Sequence, residues 1–312
     1  MRRDIKELVA GGFGGTLQCI VGHPFDLMKV RLQSQSQLGT NYTNMFDMIK
    51  VTARHEGFRG FFAGMSLPFY CSGGLNAALF SINGTMKRLV CKQIGADKVS
   101  DLKLKHIIFS ALLTAPIYAL FVAPIELVKN RLQIQSYSLK KVYNGPADCI
   151  FKTVRYGGFT ALFAGYSATV IMRMLGLPAY LSTFNVTKRH LMEEHEMSSQ
   201  TSALIGGCTA GASFWLVCFP ADSIKIVMQT HGAALLHNKK KEKTCGIPQQ
   251  KFNILTAIKE IYVNKNTYGR ASIRNFYRGL QPCLIRSIPA NGVVFLGVDL
   301  ALQMLGDDEG FL

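Results

Sequence analysis

One pattern occurs three times in this chain: a proline, an acid two residues on, a lysine three further, and a glutamine four beyond that. The copies are Pro24-Asp26-Lys29-Gln33, Pro124-Glu126-Lys129-Gln133 and Pro220-Asp222-Lys225-Gln229, spaced at roughly a hundred residues. Each closes a long apolar stretch, so the chain reads as three similar units, 1–95, 100–197 and 200–306. A charged pair and a helix-kinking proline, repeated three times under apolar sequence, point to a gate rather than to an active site.

Of the 312 residues, 48% are hydrophobic and only 17% charged, yet the net charge is +16. Apolar bulk with a basic excess fits a membrane protein whose short loops face anionic headgroups. Nucleic-acid binding is the weaker account of the charge, because the basic residues flank apolar segments rather than gathering on one face. Eight cysteines are scattered without C-x-x-C or His/Cys ligand spacing, so neither a disulfide framework nor a metal site is supported. Asp4 and Glu7 interrupt the apolar start, no cleavable presequence is visible, and organelle targeting is expected to be internal.

Six apolar segments can be drawn, at 8–30, 67–89, 106–130, 167–191, 202–228 and 281–305. Each approaches the ~20 residues that a helix needs to cross a bilayer core. Gly, Pro, Ser and a few charges recur in all of them, which suits helices packed around a polar path. Between the members of each pair lies a short helix candidate, near 42–56, 146–156 and 252–263. An aromatic two residues before a glycine ends each connection: Phe62/Gly64, Phe163/Gly165 and Tyr277/Gly279. The pattern predicts amphipathic helices at the membrane surface. A lysine-rich insertion at 238–251 reads as a solvated loop. The glycine pairs Gly11/Gly15 and Gly207/Gly211 allow close helix approach in lipid.

Within the motif, Pro24, Pro124 and Pro220 each remove a backbone donor and kink their helix. The acid and the lysine diverge around the helix, so each suits a neighbouring helix better than its own partner. A ring of three acid–base pairs can then form, with each glutamine set to hydrogen-bond across a pair. An isolated charge at the bilayer centre costs roughly 2.5–3.5 kcal/mol on insertion scales, so such ions are expected to be paired or to face water. A ring satisfies that need when closed and a wet cavity satisfies it when open, which gives two access states. Trp215 reads as a core or interface residue, and His23 as a packing or hydrogen-bonding one.

These motifs closely resemble the signature of the mitochondrial carrier family over essentially the whole chain. The resemblance implies an all-α membrane fold, with six transmembrane helices in three pseudo-threefold repeats and short amphipathic helices on the matrix side. It implies a matrix gate formed by Asp26, Lys29, Glu126, Lys129, Asp222 and Lys225, braced by Gln33, Gln133 and Gln229. The family's second basic residue is present as Arg31 and Arg131 but is Val227 in the third copy, where loop or lipid-side contacts should weaken. The family's cytosolic motif is thin here: Lys87, Lys188 and Asp299 remain, with Asp299 its only acid and Lys87 the expected partner. Replacing Asp299 should therefore alter transport much less than replacing Asp26.

The runs Gly11-Gly12-Phe13-Gly14-Gly15, Val21-Gly22-His23-Pro24-Phe25-Asp26 and Pro289-Ala290-Asn291-Gly292 resemble the carnitine/acylcarnitine and ornithine branch. The runs Val227-Met228-Gln229-Thr230 and Tyr143-Asn144-Gly145-Pro146 resemble fungal amino-acid carriers. By resemblance, Arg286 and the pair Met172-Arg173 occupy cargo-contact positions, with Ser72 and Asn76 as weaker polar candidates. Carnitine and basic-amino-acid carriers place an acid after the arginine of that pair; here it is absent, and Asp26 or Glu126 could substitute. A buried arginine suits a carboxylate. The implied activity is exchange of a small carboxylate-bearing solute across the mitochondrial inner membrane, by a multi-pass protein working as a monomer. The alternatives are an amino-acid carrier without carnitine activity and an uncoupling or channel-like carrier. No cofactor, no enzymatic activity and no nucleic-acid partner is expected; membrane lipid, including cardiolipin, is.

Overall fold

The computed structural model describes residues 3–35, 42–95, 102–135, 142–194, 197–242, 252–263 and 272–304. Among them there are α-helices and short 3-10 turns but no strand. Six helices are long: α1 (Arg3–Gln33), α3 (Ser66–Ile94), α4 (Leu104–Ile134), α6 (Tyr166–Glu194), α7 (Ser199–Glu242) and α9 (Leu280–Met304). Three are short: α2 (Met45–Gly60), α5 (Pro146–Gly157) and α8 (Ile254–Val263), close to the candidates expected from sequence. The long helices are neighbours in a closed cycle, α1 against α3, then α4, α6, α7, α9 and back to α1.

Three helical stretches are long and apolar enough to cross a membrane among the described residues: Leu104–Ile134, Phe159–Glu194 and Leu204–Gly232. Helix α4 shows why. It turns Phe109, Leu113, Ile117, Leu120 and Phe121 outward at helical spacing, while Ser110, Thr114 and Tyr118 are buried. A water-facing helix would reverse that order; lipid chains accept it. Ser110 and Thr114 donate to the carbonyls of Ile107 and Ser110, so their hydroxyls cost little inside.

The prolines of the three motif copies lie inside α1, α4 and α7, with the helix running on past each. Past the third copy α7 continues to Glu242, so the start of the lysine-rich run, expected as loop, is helical; the remainder, 243–251, lies outside the described residues. After Pro220 the next proline is Pro248, so no residue between them removes a backbone donor from the helix.

Each short helix returns to the bundle through a glycine with positive φ: Gly64 at 76°, Gly165 at 80° and Gly279 at 85°. These three also touch the motif helices. A Cβ on Gly64 would lie 3.2 Å from the Lys129 carbonyl oxygen, one on Gly165 3.2 Å from that of Lys225, and one on Gly279 3.3 Å from that of Lys29. Glycine is therefore required twice over, for its backbone angle and for its closeness to the lysine turn of the adjoining copy.

Candidate functional site

The late turns of α1 and α4 and the middle of α7 carry the three motif copies, and the ion pairs run between copies. Lys129 reaches Asp26 at 2.5 Å, Lys225 reaches Glu126 at 3.3 Å, and Lys29 reaches Asp222 at 2.7 Å. Each acid thus takes a lysine from the next copy along, and the three pairs close a cycle. Lys225 also lies 3.2 Å from Asp222 on its own helix, fusing two pairs into one network. Geometrically this follows from the spacing: at about 3.6 residues per turn an acid and a lysine three apart are offset by roughly 60°, the angle between the two neighbours of a helix when three converge.

The surroundings of the three pairs differ. The side chains of Asp26 and Glu126 are 20% and 24% exposed, whereas Asp222 is wholly buried. Arg286, on α9, sits 3.2 Å from Asp26, and Arg173, on α6, sits 3.9 Å from Glu126. Gly22 makes room for the first of these, since a Cβ there would lie 2.6 Å from Arg286 Nε. The Arg173 guanidinium also lies over the Tyr118 ring, 4.6 Å from its centroid. The Met172 sulfur is 3.7 Å from Lys225 Nζ. At the third pair no arginine enters among the described residues. Instead the Lys29 ammonium sits 4.2 Å above the Trp215 ring, with Phe219 beside it.

The three glutamines have different partners. Gln33 donates to Ser223 Oγ at 2.9 Å and to Asp222 at 3.4 Å, so it touches the third ion pair. The Gln133 amide lies against His23 at 3.4 Å, and Gln229 accepts from Asn130 at 2.6 Å. Single residues outside the repeated pattern decide this. Ser223 stands where the other copies have Leu27 and Leu127, and Asn130 where they have Val30 and Ile226. His23 is buried, with Nε2 2.9 Å from the Ala63 carbonyl oxygen, so that nitrogen carries the proton.

Below this level the second basic residues act as clamps. Arg31 donates through Nε to the Gln133 carbonyl at 3.2 Å, to Thr52 at 3.0 Å, and to both oxygens of Glu56 at 2.8 and 2.9 Å. Arg131 repeats the first two contacts, with the Gln229 carbonyl at 2.9 Å and Thr153 at 2.7 Å. Val227 cannot; it is buried against Ala257 and Ile261 of α8. Arg278 reaches across that third junction from another position, donating to Gln35 Oε1 and, at 2.9 Å, to the Tyr42 carbonyl.

Several contributors lie outside the motif read from sequence: Arg278, Trp215 as a lysine partner, and a glutamine two residues past each of the first two motif copies. Gln35 accepts from Tyr42 N at 3.2 Å, and Gln135 brackets Tyr143 with bonds of 2.8 and 3.0 Å. In the third copy His231 stacks on Phe252 instead, ring centroids 3.9 Å apart. The signal was present, as glutamine and tyrosine recur together in two copies. Lys87 and Lys188 are half-buried on α3 and α6, and among the described residues neither is paired with an acid. Asp299 lies in α9, and its side chain is outside the described residues. Ser72 is bonded to the Phe69 carbonyl, and Asn76 packs against Gly15.

The profile of the family described as mitochondrial carrier protein matches residues 3–93, 101–195 and 197–309. A glutamate/glycine mitochondrial carrier of Schizosaccharomyces pombe is 31% identical over 95% of this chain and 93% of its own length. A mitochondrial carnitine/acylcarnitine carrier-like protein of Arabidopsis thaliana is 31% identical over 96% of this chain and 98% of its own. A mitochondrial glycine transporter of Saccharomyces cerevisiae is 30% identical over 97% of this chain and 92% of its own.

Proposed function

The chain belongs to the mitochondrial carrier family, and from that premise we propose that it is a secondary transporter of the mitochondrial inner membrane. It exchanges a small carboxylate-bearing solute, such as carnitine, acylcarnitine or an amino acid, by alternating access. Its six long helices cross the membrane as three repeats, 1–95, 100–197 and 200–306, and it works as a monomer among membrane lipids, cardiolipin included. The observation that carries this reading is the cycle of ion pairs, each joining consecutive motif copies. Such a cycle holds three helices together at one level and can be opened only by separating all of them.

In this reading Asp26, Lys29, Glu126, Lys129, Asp222 and Lys225 are the matrix gate. Gln33, Gln133 and Gln229 support it, and Pro24, Pro124 and Pro220 bend the helices toward it. Cargo meets Arg286, Arg173, Met172, Asp26 and Glu126. Both arginines rest on gate acids, so a cargo carboxylate that draws a guanidinium away also loosens a gate pair. Such differential contact is what shifts a two-state equilibrium. On the opposite side Lys87, Lys188 and Asp299 form a thin cytosolic gate.

A second reading, an amino-acid carrier without carnitine activity, is favoured by the lack of an acid after Arg173. It agrees with the names of the two yeast relatives. A channel-like or uncoupling carrier is the remaining alternative. Uptake of labelled carnitine, ornithine, lysine and glutamate into preloaded liposomes tests all three. Saturable counter-exchange is expected; conductance independent of cargo would favour the channel-like reading, and no exchange of any solute would sink the transporter assignment within this branch.

A further inference from the structure

We infer that the cargo is a dicarboxylate, a choice that rests on the transport reading above and narrows it. At the level of the ion-pair cycle five cations meet three carboxylates among the described residues: Lys29, Lys129, Lys225, Arg173 and Arg286 against Asp26, Glu126 and Asp222. The three lysines already match the three acids. The two arginines are surplus, and the level carries an excess of two positive charges.

The location of that excess matters as much as its size. Neither arginine approaches Asp222, the buried acid. Arg286 sits on Asp26 Oδ1 while Lys129 holds Oδ2, and Arg173 sits on Glu126 Oε1 while Lys225 holds Oε2. Both arginines keep partial exposure, and the Nε of each lacks a hydrogen-bond partner. The uncompensated charge is therefore divided between two guanidiniums, on α6 and on α9, each leaning on a carboxylate that a lysine already serves. Guanidinium forks pair most strongly with carboxylates. One cargo carboxylate satisfies one arginine and leaves the other in excess; two satisfy both.

The same bookkeeping disfavours a zwitterion. Each oxygen of Asp26 and Glu126 has a cation beside it, so an ammonium or quaternary group finds no uncommitted acid and adds to the surplus. A cargo amino group is tolerated only at some cost, and a dicarboxylate without one balances the level best.

The test is counter-exchange in liposomes with glutarate, glutamate, glutamine, glycine and carnitine as probes. Glutamate and glutamine have the same length and differ only in the second carboxylate. Glutarate and glutamate are expected to exchange with kcat/KM at least about tenfold above glutamine, glycine and carnitine. Arg173→Gln and Arg286→Gln should each cut the glutamate-to-glutamine ratio about tenfold. Should the variants fold poorly, thermal unfolding of the unaltered protein serves instead: glutarate should raise the midpoint and glycine should not. Faster exchange of glycine, glutamine or carnitine than of either dicarboxylate overturns this inference and leaves the transport reading standing. Absence of saturable exchange with every probe overturns both.

Discussion

The junction between the third motif copy and the first differs from the other two in almost everything except its ion pair. At the first two junctions the acid is partly exposed, carries an arginine as well as a lysine, and is backed by Arg31 or Arg131, which reaches from the acid's own helix to a carbonyl of the neighbouring one. At the third the acid is wholly buried, its lysine lies over an indole, and Val227 replaces the clamp. The position eight residues past the N-cap of each short helix changes in step: Thr52 and Thr153 accept from the clamp arginines, whereas Ile261 packs on Val227. A polar pair has been exchanged for an apolar one, and the cation that spans the junction comes from Arg278 instead. Near-threefold architecture therefore does not imply equal junctions. Two are partly exposed and touch Arg286 or Arg173; one is buried and has an indole there instead.

The largest test of that asymmetry is Asp222→Asn. It leaves two buried lysines without their shared carboxylate, and breaking a buried pair in this way costs about 3–5 kcal/mol. Thermal unfolding in detergent should fall well below that of Asp26→Asn or Glu126→Gln, where water reaches the remaining charge; equal losses would mean that the junctions are equivalent. Next comes Arg278→Ala, which removes charge-assisted bonds worth about 1.5–3 kcal/mol. Adding Val227→Arg with Ile261→Thr should recover part of the loss, by rebuilding the clamp of the other junctions. Further destabilisation by the added pair would show that the two positions do not substitute for each other. Trp215→Leu removes the aromatic face under Lys29, about 1–2 kcal/mol when desolvated, and should speed exchange by weakening the closed state; an unchanged rate would leave the indole a packing role only. Smallest is the glutamine series. Gln33→Ala should change the exchange rate more than Gln133→Ala, since only Gln33 reaches an ion pair, at about 0.5–1.5 kcal/mol per bond.

The parts of this arrangement that sequence made legible are those that repeat. Identical spacing in three copies offers Asp26, Glu126 and Asp222 a ring with the three lysines, and apolar stretches of helical length place them on helices. What stayed hidden is what differs between copies. Nothing local marks His23 and Asn130 as neighbours of Gln133 and Gln229, because those contacts span about a hundred residues of chain and depend on side-chain reach. Arg278 was visible only as part of an aromatic-x-glycine turn, whereas its partners lie in the first copy. The helical start of the lysine-rich run was obscured by its charge, which reads as loop although lysine is a good helix former.

The chain contains one tryptophan, and it lies against a lysine of the ion-pair cycle. A positive charge held over an indole perturbs the excited state of the ring, so its emission depends on whether that charge is present. Separating Lys29 from Asp222 also draws the ammonium off Trp215. The unlabelled protein thus carries its own optical readout of a single ion pair, and selective excitation of that residue follows the third junction while a candidate solute is added.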